Sequence, residues 1–232
     1  MIFPVFTIFL IFLIIFNINA RKTSRRDEAI KRSIFERERR ANNTRKKSLQ
    51  GLNYIHIPDT IPPDITDALS GDARDAAERI RYLREENAEI VNLTGYTNTD
   101  LKLEYGVANI TNLIQFDTNY AALVTALQDS AKALYEAGKY EEAKQVLEFA
   151  VQTGTDIRES YRLLIDMYKS KLFMDKETMD ARLRALIPIA EDLRSLSKNA
   201  ILAMIYEALH MDDKLAELKS LTVKEEPAEA DS

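Results

Sequence analysis

Residues 119–151 read NYAALVTALQDSAKALYEAGKYEEAKQVLEFAV, and the fold turns on this stretch. Apolar or small residues recur at Leu127, Ala131 and Leu134, and again at Ala143, Leu147 and Ala150. Both sets keep the three-to-four-residue period of a helix with one buried face. The spacing predicts a helix over 119–137, a turn at Gly138-Lys139 and a second helix over 140–151. Ala131, Ala143 and Ala150 are small enough to let two antiparallel helices approach closely while the larger residues fill around them. A hairpin of this kind cannot cover its own apolar face and must stack on a neighbour.

The same period continues on both sides. Upstream, Ala73, Ala76, Ala77, Ile80, Leu83 and Ile90 fall on one side of a helix expected over 70–92, with Gly95 as its stop. Asn98-Thr99-Asp100 is a capping cluster for a short helix that Gly106 ends, and a further short element covers 107–114. Downstream, Tyr161, Leu164 and Tyr168 mark another first helix, and Leu202, Ile205 and Tyr206 a third, with Leu215 and Leu218 on its partner. Six Gly and six Pro in 232 residues, with abundant Ala, Leu, Glu and Lys, favour helices over a turn-rich β fold. The expected class is all-α.

The run Ala133-Leu134-Tyr135-Glu136-Ala137-Gly138-Lys139-Tyr140-Glu141-Glu142-Ala143 resembles the middle of a tetratricopeptide repeat. Set on that family's second-helix alanine, Ala143 brings Leu127, Ala131, Leu134, Gly138, Tyr140, Leu147 and Ala150 onto signature positions. Ser130 departs from the pattern, because the family places a large apolar residue there. The resemblance covers roughly 119–220, with Ile165 where a small residue is expected and a long loop at 171–176. It implies a concave groove lined by first helices that takes a peptide of a protein partner. Carried onto this chain, the groove positions are Thr125, Gln128, Lys132, Tyr135 and Glu136, then Glu159, Arg162, Asp166 and Lys169. Of these, Gln128, Lys132, Tyr135, Arg162, Asp166 and Lys169 are the expected partner contacts. The Lys/Asn pattern that clamps a C-terminal carboxylate in some members is not matched, since Lys132 stands where Asn is needed. An ordinary solvated helix face is the other reading of all nine positions.

The N-terminal part is of another kind. From Ile2 to Phe16 every residue is apolar except Thr7, and the run through Ala20 carries no charge. About 20 residues make ~30 Å of helix, the thickness of a bilayer core. Arg21, Lys22, Arg25 and Arg26 follow at once, and basic flanks stay on the cytoplasmic side. Residues 1–20 are therefore expected to be a single transmembrane signal-anchor, with the soluble domain cytoplasmic and the N-terminus outside. A cleaved signal peptide is the alternative, but such peptides carry their charge before the apolar run.

Net charge is −5 over the whole chain, yet residues 21–47 hold twelve Lys/Arg and four Asp/Glu. They form a basic juxtamembrane stalk of +8, against −13 for the chain after it. Within 24–41, Asp27–Lys31, Glu28–Arg32 and Glu36–Arg40 are acid-before-base pairs one turn apart, as on an exposed charged helix. Arg21, Lys22, Arg25, Arg26, Lys31 and Arg32 are the candidate contacts to anionic lipid headgroups. Nucleic-acid binding ranks last, since Phe35 is the lone interleaved aromatic. Residues 48–63 make a Pro-containing linker, part of which is expected to lie extended in a groove of the helical domain at 64–222. Residues 223–232 are expected to be an acidic, disordered tail.

Chemistry is sparse. Without cysteine there are no disulfides, thiol nucleophiles or Cys-based zinc sites. The two histidines, His56 and His210, lie far apart and belong to no metal-ligand pattern. No two glycines stand closer than eleven residues, so there is no phosphate-cradling loop. The residues point to no enzyme, cofactor or metal. Three N-x-[ST] triplets occur, at Asn42, Asn92 and Asn109, and a cytoplasmic domain would not meet the glycosylation machinery.

Overall fold

The computed structural model describes residues 27–225, with side chains through residue 220. The expected anchor at 1–20 and the tail from 226 on lie outside the described residues. In chain order the helices are α1 (27–42), α2 (Gly71–Glu85), α3 (Asn98–Tyr105), α4 (Ile110–Glu136), α5 (Tyr140–Gln152), α6 (Arg158–Asp166), α7 (Lys176–Glu191), α8 (Lys198–Ala208) and α9 (Asp212–Glu225). The described residues contain no strand, and their one β-bridge is the antiparallel pair Tyr54–Val91. The chain is all-α. No helix among the described residues is long and apolar enough to cross a membrane.

The chain divides into two compact units. The first holds α1, the segment that follows it to Gln50, and residues Tyr96–Thr111. Here Thr97 and Asp100 form a capping box at the start of α3. Arg37 reaches Asp100 at 2.5 Å, and Glu38 accepts from Lys102 at 2.7 Å and from the Thr99 hydroxyl at 2.5 Å. The charged helix is thus docked at its C-terminal end, where Ala41 is fully buried, and bare at its N-terminal end, where Ile30 and Ile34 are exposed. Gly106 has φ 89°, and a Cβ there would stand 2.2 Å from the Arg45 carbonyl oxygen. Only glycine lets segment 45–47 pass over the end of α3.

The second unit comprises Gly51–Gly95 and the chain from Asn112 on. α2 ends at Glu85, ten residues before the expected stop at Gly95. Asn87 takes a left-handed conformation (φ 47°), and Ala88 N–H donates to the Leu83 carbonyl at 3.0 Å. This is a C-terminal cap in which Asn serves in place of Gly. Ile90 is buried as expected, but from an extended segment whose carbonyl accepts from Ile55 N–H at 2.9 Å. Residues 51–63 accordingly lie along the helices: Ile61 is buried, and Ile55 and Ile57 pack on the core. Arg84 fastens this segment by donating to the carbonyls of Asp59 (3.2 Å) and Ile61 (3.1 Å).

α4 starts at Ile110, earlier than the expected 119, because the short element at 107–114 runs into it after one 3-10 turn. From there the chain makes three hairpins, α4/α5, α6/α7 and α8/α9. Each turn holds one left-handed residue: Gly138 (φ 73°), Phe173 (φ 44°) and His210 (φ 55°). At the first and third, Lys139 N–H donates to Leu134 O and Met211 N–H to Tyr206 O, both at 2.9 Å, so one cap geometry recurs. α5 packs on α6 and α7, and α8 packs on α6, α7 and α9. Leu127, Ala131, Leu134, Ala143, Leu147 and Ala150 are all fully buried. Beyond Asp166, α6 continues as a π turn over Met167–Lys171, with Leu172 N–H bonded five residues back to Met167 O at 3.0 Å. α9 runs to Glu225.

Candidate partner-binding face

The first helices of the first two hairpins, α4 and α6, are tied together by side chains. Ser160 donates to Gln128 Oε1 at 2.5 Å in the buried seam. About two helical turns along α4, the Tyr135 hydroxyl donates to Asp166 Oδ2. Tyr135 is half-buried and meets Tyr140 of α5 edge to face, with ring centroids 5.4 Å apart. The Lys171 ammonium sits 5.7 Å above the Tyr140 ring, placed there by the π turn that ends α6. Asp166 holds the Tyr135 proton in place and, with burial, pushes the phenol up to about 12.

The exposed rim is charged. Arg162 grips Glu159 through two hydrogen bonds, at 2.6 and 2.5 Å, which hold that carboxyl below its ordinary range. Lys132 and Glu136 pair loosely at 4.0 Å on α4, and Lys169 is exposed. Thr125 is exposed and turns its hydroxyl back to the Ala121 carbonyl at 2.8 Å.

Of the six expected partner contacts, Tyr135 and Asp166 are half-buried and bonded to each other, Lys132 and Arg162 are exposed near them, and Lys169 is exposed in the π turn. Gln128 is the exception: expected to point outward, it is only 9% exposed, with its Nε2 buried and unbonded. The reason is its register, which turns the side chain toward Ser160 of the next first helix. Sequence reading missed Tyr140 and Lys171. The aromatic after the Gly138 turn could have been found as a partner for Tyr135, but the π turn that delivers Lys171 leaves no signal in the periodicity.

Among the lipid-contact candidates, Lys31 is exposed and Arg32 pairs weakly with Glu28 at 3.9 Å, while Arg21, Lys22, Arg25 and Arg26 lie outside the described residues. His56 is exposed beside an open recess of 220 Å³ lined by Asn53, Ile55, Asn92, Phe149, Gln152 and Thr153, with no carboxylate among them. His210 is the left-handed cap of α8. The described residues hold no group of three or more His, Asp or Glu placed to bind a metal. No family model matches the chain, and no curated protein or solved structure matches it either.

Proposed function

We propose that this chain is a membrane-tethered adaptor whose stacked helical hairpins, similar to tetratricopeptide repeats, bind a protein partner at the cytoplasmic face. The tether is the apolar run at 1–20, with its orientation set by the basic residues that follow. The observation that carries the binding reading is the joined α4/α6 face. Its two tyrosines are locked by Asp166 and Lys171, and a mixed-charge rim surrounds them. Aromatic side chains held in one rotamer lose little entropy on binding and are favoured anchors at interfaces. Lys132, Arg162 and Lys169 favour an acidic or mixed peptide over a basic one.

Catalysis through the basic stalk or elsewhere has no comparable support. Within the 21–47 segment Arg37 is paired with Asp100, which leaves one basic residue fewer for a lipid or nucleic-acid contact. The test is charge reversal in the intact membrane-embedded protein. Lys132→Glu with Arg162→Glu should lower partner recovery at least tenfold, whereas Glu136→Gln with Glu159→Gln, which breaks the same two pairs without reversing the basic charge, should not. Equal recovery by variant and parent contradicts the proposal.

A further inference from the structure

The three N-x-[ST] triplets have different fates in the fold. Asn109 is fully buried, and its Nδ2 donates to two backbone carbonyls, Lys47 O at 2.8 Å and Tyr105 O at 2.7 Å. Asn92 is half-buried, and its Nδ2 faces the Tyr120 hydroxyl at 2.9 Å, Thr153 O at 3.2 Å and Gly154 O at 3.1 Å. A carbonyl can only accept, so in both residues the nitrogen must be the atom that points inward. For Asn92 the other end agrees, because Oδ1 accepts from Thr94 N–H at 3.0 Å. Asn42 differs: it is exposed, and it meets Lys102 through Oδ1 at 2.8 Å, not through Nδ2.

Transfer of a glycan from a lipid-linked oligosaccharide forms a bond between Nδ2 and the sugar C1. It breaks the sugar's bond to the pyrophosphate leaving group and takes one of the two amide protons. At Asn109 both protons are engaged by carbonyls, and at Asn92 the nitrogen is enclosed by three acceptors. At Asn109 modification would remove a buried hydrogen bond and drive a pyranose ring into packed backbone; at Asn92, which lines the open recess, it would break the bonds of the amide to Thr153 O and Gly154 O. We infer that the folded protein can carry an N-linked glycan at Asn42 alone, and that transfer to Asn92 or Asn109 blocks folding. The inference stands on the two amide environments and not on the partner-binding reading.

The experiment makes the full chain in rough microsomes in two orientations: as it stands, and inverted by neutral replacement of Arg21, Lys22, Arg25 and Arg26 with lysines added ahead of Met1. The trypsin-resistant fraction is then mapped by glycopeptide mass spectrometry. In the inverted chain, resistant molecules should carry a glycan at Asn42 or none. Thr94→Ala with Thr111→Ala removes the two sealed triplets while keeping both asparagines, and should raise the resistant fraction severalfold if transfer had occurred there. Resistant molecules glycosylated at Asn92 or Asn109 would overturn the inference. So would modified chains that stay trypsin-sensitive after both triplets are removed. A glycan on the chain in its own orientation refutes the cytoplasmic placement instead, leaving the amide argument to the inverted chain.

Discussion

Two side-chain pairs carry the contact between α4 and α6, and they are of unequal quality. Gln128 accepts from Ser160 but leaves its own Nε2 buried without a partner. Ser160→Ala should therefore cost about 1–3 kcal/mol, because it strands the second end of the amide as well. Adding Gln128→Met to Ser160→Ala removes the polar pair together and should recover most of that loss in a denaturant melt. The tyrosine pair is read by pH. Because Asp166 raises the Tyr135 phenol to about 12, its share of stability is complete below the ordinary value of 10.0 and lost as pH rises through the folded value. Ultraviolet titration of the parent minus Asp166→Ala should show one phenol moving from about 12 toward its ordinary value. An unchanged difference spectrum would mean that the Tyr135–Asp166 bond does not form in solution. At this scale the sequence was partly legible: through the resemblance to a tetratricopeptide repeat, Tyr135, Arg162 and Asp166 could be grouped, as they are in the fold. Gln128 could not, since the same spacing suits an exposed side chain and one turned into the seam.

Among the elements, the α4/α5 hairpin was legible because every local signal agreed: period, small residues at the contact, and Gly138 in the one conformation a Cβ disfavours. Ala143 is fully buried in the core. Ala143→Leu should overpack it and cost about 1–3 kcal/mol by chemical denaturation, against near zero for a surface site. Helix ends were less legible. Asn87 and His210 cap helices in the left-handed region without being glycine, and the sequence marks neither. The docking of α1 on α3 was also hidden, because charged residues on an exposed helix and charged residues in an ion-pair network look alike until the partner is known. Glu38 and Asp100 are both held below their ordinary values, 4.5 and 3.8, first by Lys102 for Glu38 and by Thr97 for Asp100. Their contribution is present above those values and fades as pH falls through the lower folded ones. Hydrogen exchange should show amides 37–42 less protected well below pH 3.8 than at neutral pH, while those of α5 and α6 keep theirs. Equal protection at both pH values would mean that these ion pairs do not hold α1.

For the whole molecule, the proposed function asks the apolar run at 1–20, the basic stalk and the stacked hairpins to hold a partner near a membrane. The all-α class was legible from composition and period together. The division into two units was not, since it depends on residues 45–50 returning to the end of α3, a contact that only Gly106 permits. The central claim is that the α4/α6 face binds. It is tested most directly by placing a photo-crosslinking amino acid at Lys169, exposed in the π turn that ends α6, and at Gln145, exposed on α5, in the full-length protein in its own membrane. The account predicts a discrete adduct from position 169, lost when Lys132→Glu and Arg162→Glu are added, and none from position 145. An adduct from 145 without one from 169, or equal adducts that ignore the charge reversal, would contradict it.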